Sequence, residues 1–183
     1  MDTEYINPCH PFRHARRCYY NNSPSTASIL IIGVGNPYRG DDAVGLRIAQ
    51  DIKKKSPDHV NVIEQSGDGI SLIDSWKDSD AVILIDAVHS GAQPGTIHRF
   101  DVHTQTIPTK FSHYSTHAFG VAEAIELART LKQLPKNLIV YGIEGKCFEA
   151  GIGLSLEVEK SALEVVKRVK QDIHNCSPRK CTE

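Results

Sequence analysis

The sequence predicts a three-layer α/β/α domain built on a five-stranded, mostly parallel mixed sheet flanked by helices. Three observations lead there. The runs SILIIGVG (28–35), AVILIDAV (81–88) and NLIVYGIE (137–144) are almost wholly apolar, as strands covered on both faces are. Strand-like segments alternate with segments whose apolar residues recur at helical spacing. A length of 183 residues suits one domain with an ordinary core, plus tails.

Residues 1–27 are polar, with a basic cluster at Arg13-His14-Ala15-Arg16-Arg17, and are expected to form a flexible extension outside the fold. The domain is expected over 28–174, opening with the strand in SILIIGVG. A Gly-rich loop leads into AVGLRIAQDIKKK (43–55), the first helix, and HVNVIEQ (59–65) alternates like a second strand. Gly67-Asp68-Gly69 turns into a short helix through Ile70, Leu72, Ile73 and Trp76. The third strand, 81–88, carries one charge, Asp86, near its carboxyl end. SGAQPG (90–95) is turn chemistry and TIHRFDV (96–102) alternates, which predicts a strand joined antiparallel to the third through a short connection. Past Pro108 come a helix over 116–132, the strand 137–144 and a closing amphipathic helix over 154–173, with Ser155 as its N-cap and Glu157 and Glu159 in its first turn. Residues 175–183 are expected to be a flexible tail.

A formal charge of −1 and a pI near 6.7 supply no basic field for nucleic acid or an anionic membrane. No apolar stretch approaches the roughly 18–20 residues that span a bilayer, and the N-terminus lacks the apolar core of a secretory signal, so a cytoplasmic protein is expected. The five cysteines (Cys9, Cys18, Cys147, Cys176, Cys181) form no C-x-x-C pair, and their odd number argues for free thiols. Cys9-His10…His14…Cys18 matches no common zinc module.

The loop Gly33-Val34-Gly35-Asn36-Pro37-Tyr38-Arg39-Gly40-Asp41-Asp42 carries the chemistry. Its Gly35-to-Gly40 spacing is that of a phosphate loop, but Asp41-Asp42 stands where Lys-Ser/Thr is needed, and Tyr38 where a dinucleotide loop has its third Gly. Negative charge there repels phosphate, so the loop suits a cation and no nucleotide cofactor is expected. In an open α/β sheet, ligands bind beyond the carboxyl ends of the strands. Asp41 and Asp42 follow strand one, Asp86 ends strand three and Glu144 ends the last strand, so carboxylates converge on one edge. His117, in SHYSTH (112–117), joins them if that connection crosses the sheet. Two carboxylates and an imidazole suit a transition metal with open positions.

Simpler readings stand beside that one. Either Asp41 or Asp42 can serve the start of helix one, which leaves one carboxylate spare. Asp86 is harder to explain, because a charge in an apolar run is costly to bury unless paired or liganded. A single histidine at a helix start is commonly structural, and His89 and His113 are neighbouring candidates for outer contacts to a metal site. A Ser115–His117–Asp86 triad lacks the G-x-S-x-G elbow, and Cys147 has no visible base.

IIGVGNPYRGDDAVGLRIA (31–49), DAVILIDAVHSGAQPGTIHRF (80–100), STHAFGVAEAIELA (115–128) and VYGIEG (140–145) before GLSLEV (153–158) together resemble the hydrogenase maturation endopeptidases. These enzymes trim a C-terminal extension from the large subunit of nickel–iron hydrogenases. The GIEGKCFEAGIGLS stretch resembles the subgroup serving bidirectional or NAD-linked hydrogenases. The resemblance implies that Asp42, Asp86 and His117 contact metal and carry catalysis, the metal being nickel brought by the precursor. The first of these positions is often Glu in the family and is Asp here, one methylene shorter; Ala43 stands where many relatives have Gly. Two other functions fit the same residues. One is a metal-dependent hydrolase of small amides or esters, the other an assembly chaperone that binds the nickel-containing precursor without cutting it.

Overall fold

The computed structural model describes residues 28–108, 120–151 and 153–176. Five strands form one sheet in the order β2-β1-β3-β5-β4. They are β1 (Ile29–Val34), β2 (Val60–Gln65), β3 (Ala81–Val88), β4 (Ile97–Asp101) and β5 (Asn137–Glu144). β2, β1, β3 and β5 run parallel, and β4 closes the edge antiparallel to β5.

The apolar strands are central because the sheet is covered on both sides. Ile29 and Ile31 of β1, with Ile83 and Ile85 of β3, pack on α1 (Val44–Lys53) and α4 (Leu156–Cys176) through Val44, Ile48, Ile52, Val158, Val165 and Val169. The alternate residues Leu30, Ile32, Val82 and Leu84 pack on α2 (Gly69–Ser75) and α3 (Val121–Thr130) through Leu72, Ile73, Ala124, Ile125 and Ala128. The three-layer mixed-sheet prediction therefore holds. α1 lies close against the sheet because Gly45 has no side chain: a Cβ there would collide with the carbonyl oxygens of Val34 and Ile85.

The antiparallel strand has a different neighbour from the one predicted. β4 is not the second arm of a hairpin with β3, because β5 lies between them, with Ile97 opposite Ile143 and Asp101 opposite Ile139. Alternation marks a half-buried strand without naming its partner. The main-chain bonds Glu144 N to Thr96 O (2.9 Å) and Gly95 N to Glu144 O (2.8 Å) lock the end of β5 onto the start of β4.

Helix boundaries also shift. A 3-10 turn, Gly40–Ala43, precedes α1. α3 begins at Val121 behind Gly120, whose N–H is accepted by Glu123 Oε2 at 3.1 Å, so the described helix is shorter than 116–132. α4 runs to Cys176, past the expected end at 173, with Ile173 still buried in the core. Ser155 occupies the N-cap position, its carbonyl accepting from Glu159 N, but its hydroxyl is turned to Asp41. The expected extension 1–27, most of the expected tail and the loop with His113, Ser115 and His117 lie outside the described residues.

Candidate metal centre

The loop after β1 is fastened to the loop after β5. Gly40 N donates to Gly151 O, Gly151 N to Tyr38 O, Asp41 N to Cys147 O, and Arg39 Nε to Phe148 O. The anchor is Asp41, which is 1% exposed. Its carboxylate accepts from Lys146 N (2.8 Å), Cys147 N (2.9 Å), Ser155 N (2.6 Å) and Ser155 Oγ (3.0 Å). Burial pushes the Asp41 pKa up, and the hydrogen bonds outweigh it, so the group is held below the usual carboxylate value. Asp41, one of the two acids that could serve the helix start, instead joins two loops that are over a hundred residues apart.

That anchorage leaves Asp42 to the site. Asp42 N donates to Arg39 O, closing the turn, and Asp42 is partly exposed at the carboxyl edge. Gly35, with φ of +148°, brings the chain so close that a Cβ on it would collide with the Asp42 carbonyl oxygen. Asp86 comes from the central strand, on the α2/α3 face two residues beyond Leu84. It lines a cavity of about 20 Å³ with Val88, Phe100, Ile107, Val121, Ala122, Val140 and Gly142. Burial among these apolar groups, and then the negative charge of Asp42, push its pKa up to about 7, against a smaller downward pull from Ala87 N–H. The structure thus brings Asp42 and Asp86 together, as the strand order implies.

Glu144, the other carboxylate expected at this edge, is used elsewhere. It is 1% exposed and accepts from Ser90 N (2.8 Å), Ser90 Oγ (2.9 Å) and Gly91 N (2.9 Å), with His98 Nε2 at 3.7 Å. It holds the β3–β4 connection in place. His89 packs edge-on against Phe148, with ring centroids 5.7 Å apart. Cys147 is an exposed free thiol, its main chain tied to Asp41. Among the described residues no cluster of three His, Cys, Asp or Glu side chains forms a complete metal site.

Gln65, to which the sequence reading gave no role, ends β2 at this edge. Gln65 lies opposite Val34, and Gly33 opposite Ile85, which puts Val34 level with Asp86; Asp86 in turn pairs with Gly142, and Gly142 with His98. One row therefore crosses the carboxyl edge from Gln65 to His98 through Asp86. The available signal was a polar residue ending a strand beside the strand that carries the loop.

Comparison with known proteins bears on the family to which the chain belongs. A family model described as "HycI: Hydrogenase maturation protease" matches residues 45–172. The chain belongs to the hydrogenase maturation protease family. Asp86 and His117 fall within the matched range, and Asp42 lies three residues before it. The hydrogenase 2 maturation protease of Escherichia coli is 31% identical over 145 residues, spanning 75% of this chain and 87% of that protein. The hydrogenase expression/formation protein HupD of Bradyrhizobium diazoefficiens is 28% identical over 63% of this chain and 62% of its own length. Among solved structures, the hydrogenase maturating endopeptidase HybD from E. coli superposes with a TM-score of 0.70 at 27% identity, covering 80% of this chain and 92% of that one. A solution structure of an endopeptidase from E. coli gives 0.71 at 27% identity, over 84% and 99% of the two chains. Membership of this protease family makes the chain a peptide-bond hydrolase. Among the described residues no helix is long and apolar enough to cross a membrane.

Proposed function

We propose that this chain is the endopeptidase that removes the C-terminal extension of a nickel–iron hydrogenase large-subunit precursor after nickel insertion, with the precursor's nickel as its recognition element. The observation that carries the reading is the Asp42–Asp86 pair: two carboxylates held at one sheet edge, where burial first and the charge of Asp42 second raise the pKa of Asp86. Such like-charge crowding is relieved by a cation, and oxygen donors completed by an imidazole suit nickel.

Asp42, Asp86 and His117 would complete the coordination of the substrate-borne metal, which fixes the scissile segment over the carboxyl edge and supplies the orientation that hydrolysis needs. For His117 the support is chain connectivity. Gly120, three residues on, precedes Val121 and Ala122 on the cavity wall shared with Asp86, and three residues reach at most about 11 Å. Water then adds across the peptide bond, its hydroxyl to the carbonyl carbon and its proton to the leaving amine. A cytoplasmic location accords with Cys147 as a free thiol.

The test is to incubate the protein with nickel-loaded and nickel-free precursor and to follow the mass of the large subunit. Cleavage of the nickel-loaded form alone is expected. Equal cleavage of both forms overturns nickel recognition, and a stable complex of unchanged mass replaces the peptidase with a chaperone.

A further inference from the structure

We infer that Gln65 is a substrate-contact residue: its side-chain carbonyl accepts a hydrogen bond from a main-chain N–H of the peptide lying across the carboxyl edge of the sheet, about three residues from the one held at Asp86. This rests on the endopeptidase reading above.

Gln65 Oε1 is buried and has no hydrogen-bond partner among the described residues. Leaving a buried carbonyl oxygen unpaired is unfavourable, and such a group calls for an explanation, a bound partner being one. The contrast along the same strand is direct. Glu64, pointing to the opposite face, is engaged by Gln50 Nε2 at 2.9 Å. Gln65 shares the α2/α3 face with Ile63 two residues earlier, which packs against the cluster of Leu30 and Leu84. This is also the face from which Asp86 reaches the site.

The position of Gln65 is fixed by main chain rather than by its amide. Its carbonyl oxygen accepts from Gly35 N at 3.1 Å, at the start of the loop that carries Asp42. Val34, buried, stands between Gln65 and Asp86 and forms an apolar floor. It also separates the amide from an ion held by the two carboxylates. Two strand spacings put the Gln65 and Asp86 Cα atoms about 10 Å apart, the length of roughly three residues of extended peptide. A peptide crossing the strand ends from Asp86 toward β2 passes the end of β2 that carries Gln65, where a turn of the side chain presents its oxygen to the main chain, and the peptide carries an N–H donor at every residue except proline. Trp76 Nε1 is also buried without a partner, but it lies beside Ser79 and Asp80, before β3 begins, at the amino edge and away from the site.

The experiment compares wild type, Gln65→Leu and Gln65→Glu in processing of the nickel-loaded precursor, with thermal unfolding of each. Leucine fills the space without an acceptor; glutamate restores one. Gln65→Leu is expected to lose about tenfold in kcat/KM, mainly through KM, at an unchanged or raised Tm, and Gln65→Glu to recover most of that loss. Unchanged kcat/KM in Gln65→Leu overturns the assignment while leaving the endopeptidase intact. A loss that follows a fallen Tm in both variants also overturns it, because the residue is then part of the scaffold. A wild type that leaves the precursor uncut overturns the inference together with the function on which it rests.

Discussion

Asp41→Asn and Asp42→Asn are expected to fail in opposite ways. In Asp41→Asn one carboxylate oxygen becomes an NH2 group. If the remaining oxygen stays on Ser155 N, the amide nitrogen faces Lys146 N and Cys147 N, both of which donate to Oδ2 in the native protein, at 2.8 and 2.9 Å. Two buried donors then lose a charged acceptor, at about 1–3 kcal/mol each, for a total of about 2–6 kcal/mol. For a domain of this size that lowers Tm by about 4–24 °C. Circular dichroism with urea and thermal unfolding measures it, and a loss below about 0.5 kcal/mol refutes the anchoring role. The pH dependence supplies an independent check. Asp41 is held below its ordinary 3.8, so the stability it contributes is present above about pH 4 and is lost as pH falls through the folded value. The gap between wild type and Asp41→Asn should therefore narrow in acid. Asp42→Asn has none of these buried bonds to lose: its Tm should match or exceed wild type while processing disappears, and normal processing by this variant refutes its place at the metal.

Three further substitutions test neighbouring parts of the structure. Asp86 has a folded pKa raised to about 7 against an ordinary 3.8, so its favourable contribution is complete below about pH 4 and is lost as pH rises through 7. Asp86→Asn should stabilise the metal-free protein by about 2–4 kcal/mol more at pH 8 than at pH 4 in urea titrations, and abolish processing. Glu144→Gln weakens the clamp on Ser90 and Gly91, and about 1–3 kcal/mol of stability should be lost, with faster amide hydrogen exchange at these two residues. Gly35→Ala meets both a φ of +148° and the Asp42 carbonyl, so it should displace Asp42 and reduce processing at least about tenfold, read from the mass of the large subunit.

The parts of this protein legible in the sequence are those governed by local pattern. Apolar runs located β1, β3 and β5, helical spacing located α1 and α4, and the rule that ligands sit beyond strand ends grouped Asp42 with Asp86. Pairings across long separations were not legible. Nothing local in Asp41-Asp42 says that the first is bonded to residues 105 to 114 positions away, or that β5 inserts between β3 and β4. Glu144 looked equivalent to Asp86 because both end parallel strands; only the placement of the Ser90–Gly91 turn over its carboxylate separates them. His117 gained its role from the family resemblance, since a single imidazole carries no positional signal of its own.

The doublet Asp41-Asp42 reads best as a device for holding two negative charges close together. A carboxylate placed against Asp86 by a free loop would swing into solvent, because the repulsion that raises Asp86 acts equally on its neighbour. The 3-10 turn counters this by burying Asp41 and locking it to the β5–α4 loop, which fixes the main chain of Asp42 one residue on. Asp86 is held as firmly by β3, paired on both sides with β1 and β5. The two carboxylates thus stand on two fixed supports before any ligand arrives, and under the proposed function a divalent cation would meet a site already arranged for it. This makes a separable prediction for Asp41→Ala. Its damage should appear first as a weaker response to nickel-loaded precursor, a raised KM at temperatures where the protein is still folded, because loosening the anchor lets Asp42 move away. A variant that unfolds at lower temperature yet keeps its KM below that temperature would show that β3 and the substrate metal position the site without the turn.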